Sequence, residues 1–167
     1  MSRLVVVSNR VADLSIPAQS GGLAVGLGDA LKQSGGLWFG WDGNVVEAGT
    51  KVPPTVVEND TVTTVTLPMT KKDYDEYYVG FSNRVLWPVF HYRLDLAEFE
   101  TNFVDGYKRV NSKFADALSP LLEPDDFIWI HDYHLIPLAS ELRMRGHNQK
   151  IGFFLHIPFP PFDVLSA

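Results

Sequence analysis

The chain has 167 residues, 46% hydrophobic and 20% charged, enough to bury one substantial core and closer to one domain than two. Its formal charge is −6, with no block of Lys or Arg, which excludes a nucleic-acid surface of the usual electrostatic kind. Cysteine is absent, so a disulfide framework and thiolate zinc or iron–sulfur sites are excluded.

The N-terminus "MSRLVVVSNR" carries four apolar residues in a row, too few for a signal-peptide core or a membrane span, and a soluble, cytoplasmic protein is expected. Leu4 to Val7 is a continuous valine-rich run, the pattern of a strand buried on both faces. A polar loop follows, and then "SGGLAVGLGDALKQSGG". Leu23, Leu27, Ala30 and Leu31 recur there at helical spacing, opened by Gly21-Gly22 and closed by Gly35-Gly36. "LWFGW" (Leu37 to Trp41) reads as a second strand, Asn44 to Pro54 as irregular, and "TVTTVTL" (Thr61 to Leu67) as a half-exposed strand.

"TKKDYDEYYVGFSNRVL" is expected to be helical, with Thr70 as N-cap and Asp73 completing a capping box. Asp95 to Leu118 spaces its apolar residues three or four apart, from Leu96 and Phe99 through Phe103 to Leu118. That predicts one long amphipathic helix with a break near Asn102. The strand "FIWI" (Phe127 to Ile130), a helix to about Arg145 and a buried strand "IGFFLH" complete the order. Strands alternating with helices predict an α/β domain: a doubly wound, mostly parallel Rossmann-like sheet with helices on both faces.

Ligands of such sheets bind beyond the carboxyl ends of the strands. Three apolar strands end in "SNR", "HDYH" and "HIPFP", and these endings should share one edge. Arg10 can fork two hydrogen bonds onto a phosphate or carboxylate, although a surface ion pair explains it equally well. Gly21-Gly22 before a helix suits close approach of an anion, as does a simple turn. It is not the dinucleotide fingerprint, because Gly26 and Gly28 fall inside the helix. His131, Asp132, His134 and His156 raise a metal site, opposed by the alternation of side chains along a strand. Tyr77-Tyr78 and the aromatics around Pro88 suit stacking on a sugar, while Phe81, Phe90 and Tyr92 read as core and His91 as structural.

Seven blocks in order, "RLVVVSNR", "SGGLAVGL", "GGLWFGW", "DEYYVGFSNRVLWPVFHYR", "DGYKRVN", "IWIHDYHL" and "IGFFLHIPFP", resemble the N-terminal half of the trehalose-6-phosphate synthases. These are retaining, two-lobed GT-B glucosyltransferases of glycosyltransferase family 20. The resemblance implies transfer of glucose from UDP-glucose to glucose 6-phosphate without metal or cofactor. It further implies that Arg10 binds the acceptor phosphate and that Tyr78 and Trp87 belong to the acceptor pocket, with Trp41 near it. Asp132 would hold an acceptor hydroxyl, Gly21 and Gly22 would lie against the donor, and His156 would touch the donor glucose. Asp132 and His156 are then the candidate catalytic positions, and His131 and His134 support the strand end.

The family also carries a second Rossmann-like lobe for the nucleotide sugar, which the 167 residues do not contain. The chain is therefore expected to be an N-terminal, acceptor-side lobe with negligible turnover alone, and with a sheet edge open to association, homo-oligomers included. A non-catalytic sugar-phosphate-binding module, a relative using another sugar or cyclitol phosphate, and a metal-dependent hydrolase remain the competing readings.

Overall fold

The computed structural model describes residues 2–11 and 22–166, with backbone only for 22–25. Six strands form one sheet in the order β3-β4-β2-β1-β5-β6. They are β1 (Leu4–Arg10), β2 (Gly36–Val46), β3 (Thr55–Asn59), β4 (Val62–Thr70), β5 (Phe127–His131) and β6 (Lys150–Phe154). All neighbours pair parallel except β3, which runs antiparallel to β4.

β1 lies at the centre, and Val5, Val6 and Val7 are fully buried because both faces of the sheet are covered. Val5 and Val7 join Leu37, Phe39, Ile128 and Ile130 on one face, beneath α4 (Thr101–Leu118) and α5 (Leu138–Met144). Val6 and Trp38 face the other way and meet Leu27 and Leu31 of α1 (Gly22–Ser34). The domain is therefore doubly wound, as its alternating pattern predicts. α4 buries Phe103, Tyr107, Val110, Phe114 and Leu118 along one stripe. Each such side chain contributes about 1.5–3 kcal/mol on burial.

Several boundaries differ from expectation. Thr70 does cap the next helix, its hydroxyl accepting from the Asp73 amide at 3.2 Å. Asp73 does not complete a capping box, because its carboxylate turns to Arg109 (2.8 Å) and Lys113 on α4. The helix starts as α2 (Lys71–Asp73), continues with wide π-type winding over Tyr74–Leu86 and closes as α3 (Trp87–Phe90). The long helix begins only at Thr101, and Leu96 and Phe99, expected on its apolar stripe, are exposed. The Glu98 amide donates to the Arg84 carbonyl at 2.9 Å, which holds this stretch extended against the preceding helix.

β4 is more buried than a half-exposed strand, since β2 and β3 flank it and Val62, Thr64 and Val65 are covered. β3, unforeseen, is a fully exposed edge strand whose antiparallel pairing with β4 creates it. β6 is no buried strand: it has a neighbour on one side only, and Phe153 and Phe154 are exposed. Tyr92 is exposed as well, at φ 61° just past the end of α3, whereas Phe90 is core. Among the described residues no helix is long and apolar enough to cross a membrane.

Candidate functional site

The carboxyl ends of β2, β1, β5 and β6 lie side by side, and the predicted polar endings meet there. At the end of β1, the Trp38 indole donates to the Ser8 hydroxyl and Ser8 donates to the Arg10 carbonyl, both at 2.8 Å. Tyr77 donates to Asn9 Oδ1 at 2.8 Å, and burial pushes the Tyr77 phenol well up, so it stays a donor. Ser8 and Asn9 thus shape the backbone that presents Arg10.

β1 and β2 both lose regular register at this level, between Val7 and Arg10 and between Trp41 and Val45. Gly43, at φ 91°, fills the irregularity, and a Cβ there would stand 2.7 Å from the Arg10 guanidinium. The missing side chain is therefore the space Arg10 occupies. Its guanidinium carbon lies 5.9 Å from the Trp41 ring centre. Trp41 packs on Tyr78 at 5.6 Å, and Tyr78 lies almost parallel to His134 at 5.7 Å. Arg10, Trp41 and Tyr78 form one continuous group.

Asp132 follows β5 in a conformation that few non-glycine residues adopt, φ 75° and ψ 167°. Its Oδ1 accepts from the Tyr133 amide at 3.0 Å and the His156 amide at 3.3 Å. Its own amide donates to the Phe154 carbonyl at 2.7 Å, tying it to β6. No described residue donates to Oδ2. A carboxylate held this way, at a backbone cost of about 1–3 kcal/mol, can accept from a ligand hydroxyl.

His131 and His134 part to opposite faces, because β5 ends at His131 and a single 3₁₀ turn (Tyr133–Leu135) carries His134 to the α4 side. His131 shares the α1 face with Trp129, at 4.3 Å between ring centres, and meets His156 with Nδ1 and Nε2 2.9 Å apart. Burial, with His156 nearby, pulls the His131 pKa down to about 4. His134 packs against Tyr133 and Tyr78, and burial lowers its pKa to about 3. Among the described residues no three metal-ligating side chains gather, so the tetrad of the hydrolase reading is not assembled as one.

Trp87 is 42% exposed at the start of α3 and stacks on His91, whose Nδ1 donates to the Trp87 carbonyl at 2.7 Å. Its helix reaches the end of β5, where Tyr133 donates to Asn83 Oδ1 at 3.0 Å. Gly22 opens α1, whereas Gly21 lies outside the described residues. One turn on, α1 borders an apolar cavity of about 310 Å³ lined by Leu27, Ala30, Trp129, His131, Phe154 and His156.

Sequence reading missed Gly43, the strained Asp132 backbone and the contact between His131 and His156. A glycine after "WD" offered a weak turn signal for the first. The other two exist only once β5 and β6 are paired.

The model of glycosyltransferase family 20 matches residues 3–167. A trehalose-6-phosphate synthase of Cronobacter sakazakii is 56% identical over 168 residues, covering 100% of this chain and 35% of that protein. A Burkholderia xenovorans α,α-trehalose-phosphate synthase (UDP-forming), solved in complex with glucose-6-phosphate, is 54% identical with a TM-score of 0.91, over 99% of this chain and 36% of that one. An E. coli structure bound with UDP-2-fluoro glucose is also 54% identical, with a TM-score of 0.88 over 99% of this chain and 35% of that one. The chain thus spans about a third of the length of the relatives it matches.

Proposed function

The chain belongs to glycosyltransferase family 20, and on that premise we propose that it is the N-terminal, acceptor-side lobe of a UDP-forming α,α-trehalose-phosphate synthase acting in the cytoplasm. The reaction moves glucose from UDP-glucose to the anomeric hydroxyl of glucose 6-phosphate with retention, giving trehalose 6-phosphate and UDP. The observation that carries this reading is the meeting of Arg10, Asp132 and His156 at one sheet edge, with Asp132 held under strain. Relatives described with glucose-6-phosphate and with a UDP-glucose analogue support the choice of substrates.

Arg10, seated over Gly43, forks onto the acceptor phosphate. Tyr78 and Trp87 flank the acceptor sugar, and Asp132 accepts a hydrogen bond from one of its hydroxyls. Gly22, at the start of α1, and Gly21 before it in sequence allow the donor close to the backbone, and His156 meets the donor glucose. The acceptor oxygen attacks from the face that the diphosphate leaves, so its proton passes to the departing phosphate oxygen. One carbon–oxygen bond forms as another breaks, and neither a protein nucleophile nor a metal or cofactor takes part. Catalysis is then positioning and charge stabilisation.

A second lobe supplies the cationic groups opposite the diphosphate, so the 167-residue chain is expected to bind acceptor without turnover. Calorimetric titration with glucose 6-phosphate, beside Arg10→Ala, tests the assignment. Saturable binding abolished by the substitution is expected; a folded chain that binds equally well with and without Arg10 refutes the phosphate role.

A further inference from the structure

Resting on the reading that His156 meets a sugar oxygen, we propose that His131 is a positioning residue that sets the tautomer of His156. His131 donates Nδ1–H to Nε2 of His156, and His156 in turn presents Nδ1–H to the ligand. His156 is then a hydrogen-bond donor at that atom and not a proton acceptor.

The contact is a true hydrogen bond in the ring planes. The two nitrogens are 2.9 Å apart, the ring centres 5.2 Å apart and the planes 23° apart. That separation of centres is the nitrogen–nitrogen distance plus the two ring radii, so the rings meet edge to edge instead of overlapping. Such a contact holds one proton: two lone pairs or two N–H groups facing each other would repel.

The proton belongs to His131 because of what its other nitrogen meets. His131 is 1% exposed, and its Nε2 is buried with no hydrogen-bond partner among the described residues. Were His156 the donor, neutral His131 would have to carry its hydrogen on Nε2, burying an N–H without an acceptor. Orphaned buried N–H groups are rarer than unmet acceptors. Protonating both His131 nitrogens does not resolve the conflict, since burial keeps this ring neutral down to about pH 4. His156 is the exposed member of the pair, so its Nδ1–H can be satisfied by water or by a ligand. Its main chain is fixed at the same time by the hydrogen bond its amide donates to Asp132 Oδ1 at 3.3 Å. Ring and backbone are thus both oriented before any ligand arrives.

Long-range nitrogen–proton correlation spectra of the ¹⁵N-labelled chain at pH 7.5, without ligand, test the proposal. His156 is expected as the Nδ1–H tautomer with bare Nε2, the opposite of the form free histidine prefers. In His131→Phe it should revert to Nε2–H. Nε2–H in the unsubstituted chain overturns the proposal, as does a folded His131→Phe chain with an unchanged His156 tautomer. If that variant fails to fold, the unsubstituted spectrum decides alone. The acceptor titration of Arg10→Ala is a separate readout, so failure of the substrate reading leaves the tautomer result standing.

Discussion

Replacing Asp132 by glycine and by alanine separates backbone strain from side-chain chemistry. At φ 75° and ψ 167° a non-glycine residue is held at a cost of about 1–3 kcal/mol. Its Oδ1 accepts two backbone amides, at 3.0 and 3.3 Å, each contributing about 1 kcal/mol at this half-buried position. Asp132→Ala keeps the strain and loses both acceptors, so a loss of about 2 kcal/mol is expected. Asp132→Gly loses the same acceptors but releases the strain, offset by about 0.5–1 kcal/mol of added freedom in the unfolded chain. The glycine variant should therefore be the more stable by about 1 kcal/mol, reversing the usual advantage of alanine. Urea unfolding read at the midpoint measures the difference, provided the slopes agree. Glucose 6-phosphate affinity should fall in both variants, since neither carries the carboxylate. An alanine variant as stable as the glycine variant would refute the strained backbone; a glycine variant that binds like the parent would refute the carboxylate's contact with the sugar.

Acid should unfold the chain earlier than its carboxylates alone require. His131 and His134 titrate near pH 4 and 3 when folded, against 6.5 when exposed, so the unfolded chain binds more protons in between. Their contribution is complete above about pH 6.5 and falls by up to ~2.7 kcal/mol per pH unit as pH drops toward 4. His134→Phe should halve that slope in pH-dependent urea titrations, and an unchanged slope would contradict the buried neutral ring. The Asp73 carboxyl, though burial opposes its ionisation, is held below its usual range by Lys113, Arg109 and Thr70, and so costs stability only as pH falls through still lower values. Gly43→Ala should lose about 1–2 kcal/mol, because its Cβ meets the Arg10 guanidinium and its φ of 91° is strained for alanine. The same variant should weaken glucose 6-phosphate binding through displacement of Arg10; calorimetry showing full affinity would mean that Arg10 acts from another position.

Local chemistry made much of the fold legible. Val5 to Val7, Ile128 and Ile130, and the spacing of Phe103, Tyr107, Val110, Phe114 and Leu118 report burial directly, because strand and helix periods differ. Leu96 and Phe99 misled for the same reason: their spacing fits the stripe of α4, but the tertiary bond from Glu98 to Arg84 holds them off the helix. β3 was hidden because an exposed edge strand exists through its partner, not through its own pattern.

The sequence by itself determined the α/β class, the polar endings of β1 and β5, and the residue blocks that mark the family. It could not say that β5 pairs with β6, and that pairing is what brings the His156 amide to Asp132 and the His131 ring to His156. Nor could it show that Asp132 stands in a glycine-like conformation, or that Gly43 leaves the space where Arg10 rests. Residue type and spacing follow from the chain one position at a time. Strain, tautomer and cavity depend on groups far apart in sequence meeting at bonding distance, which only the folded sheet decides.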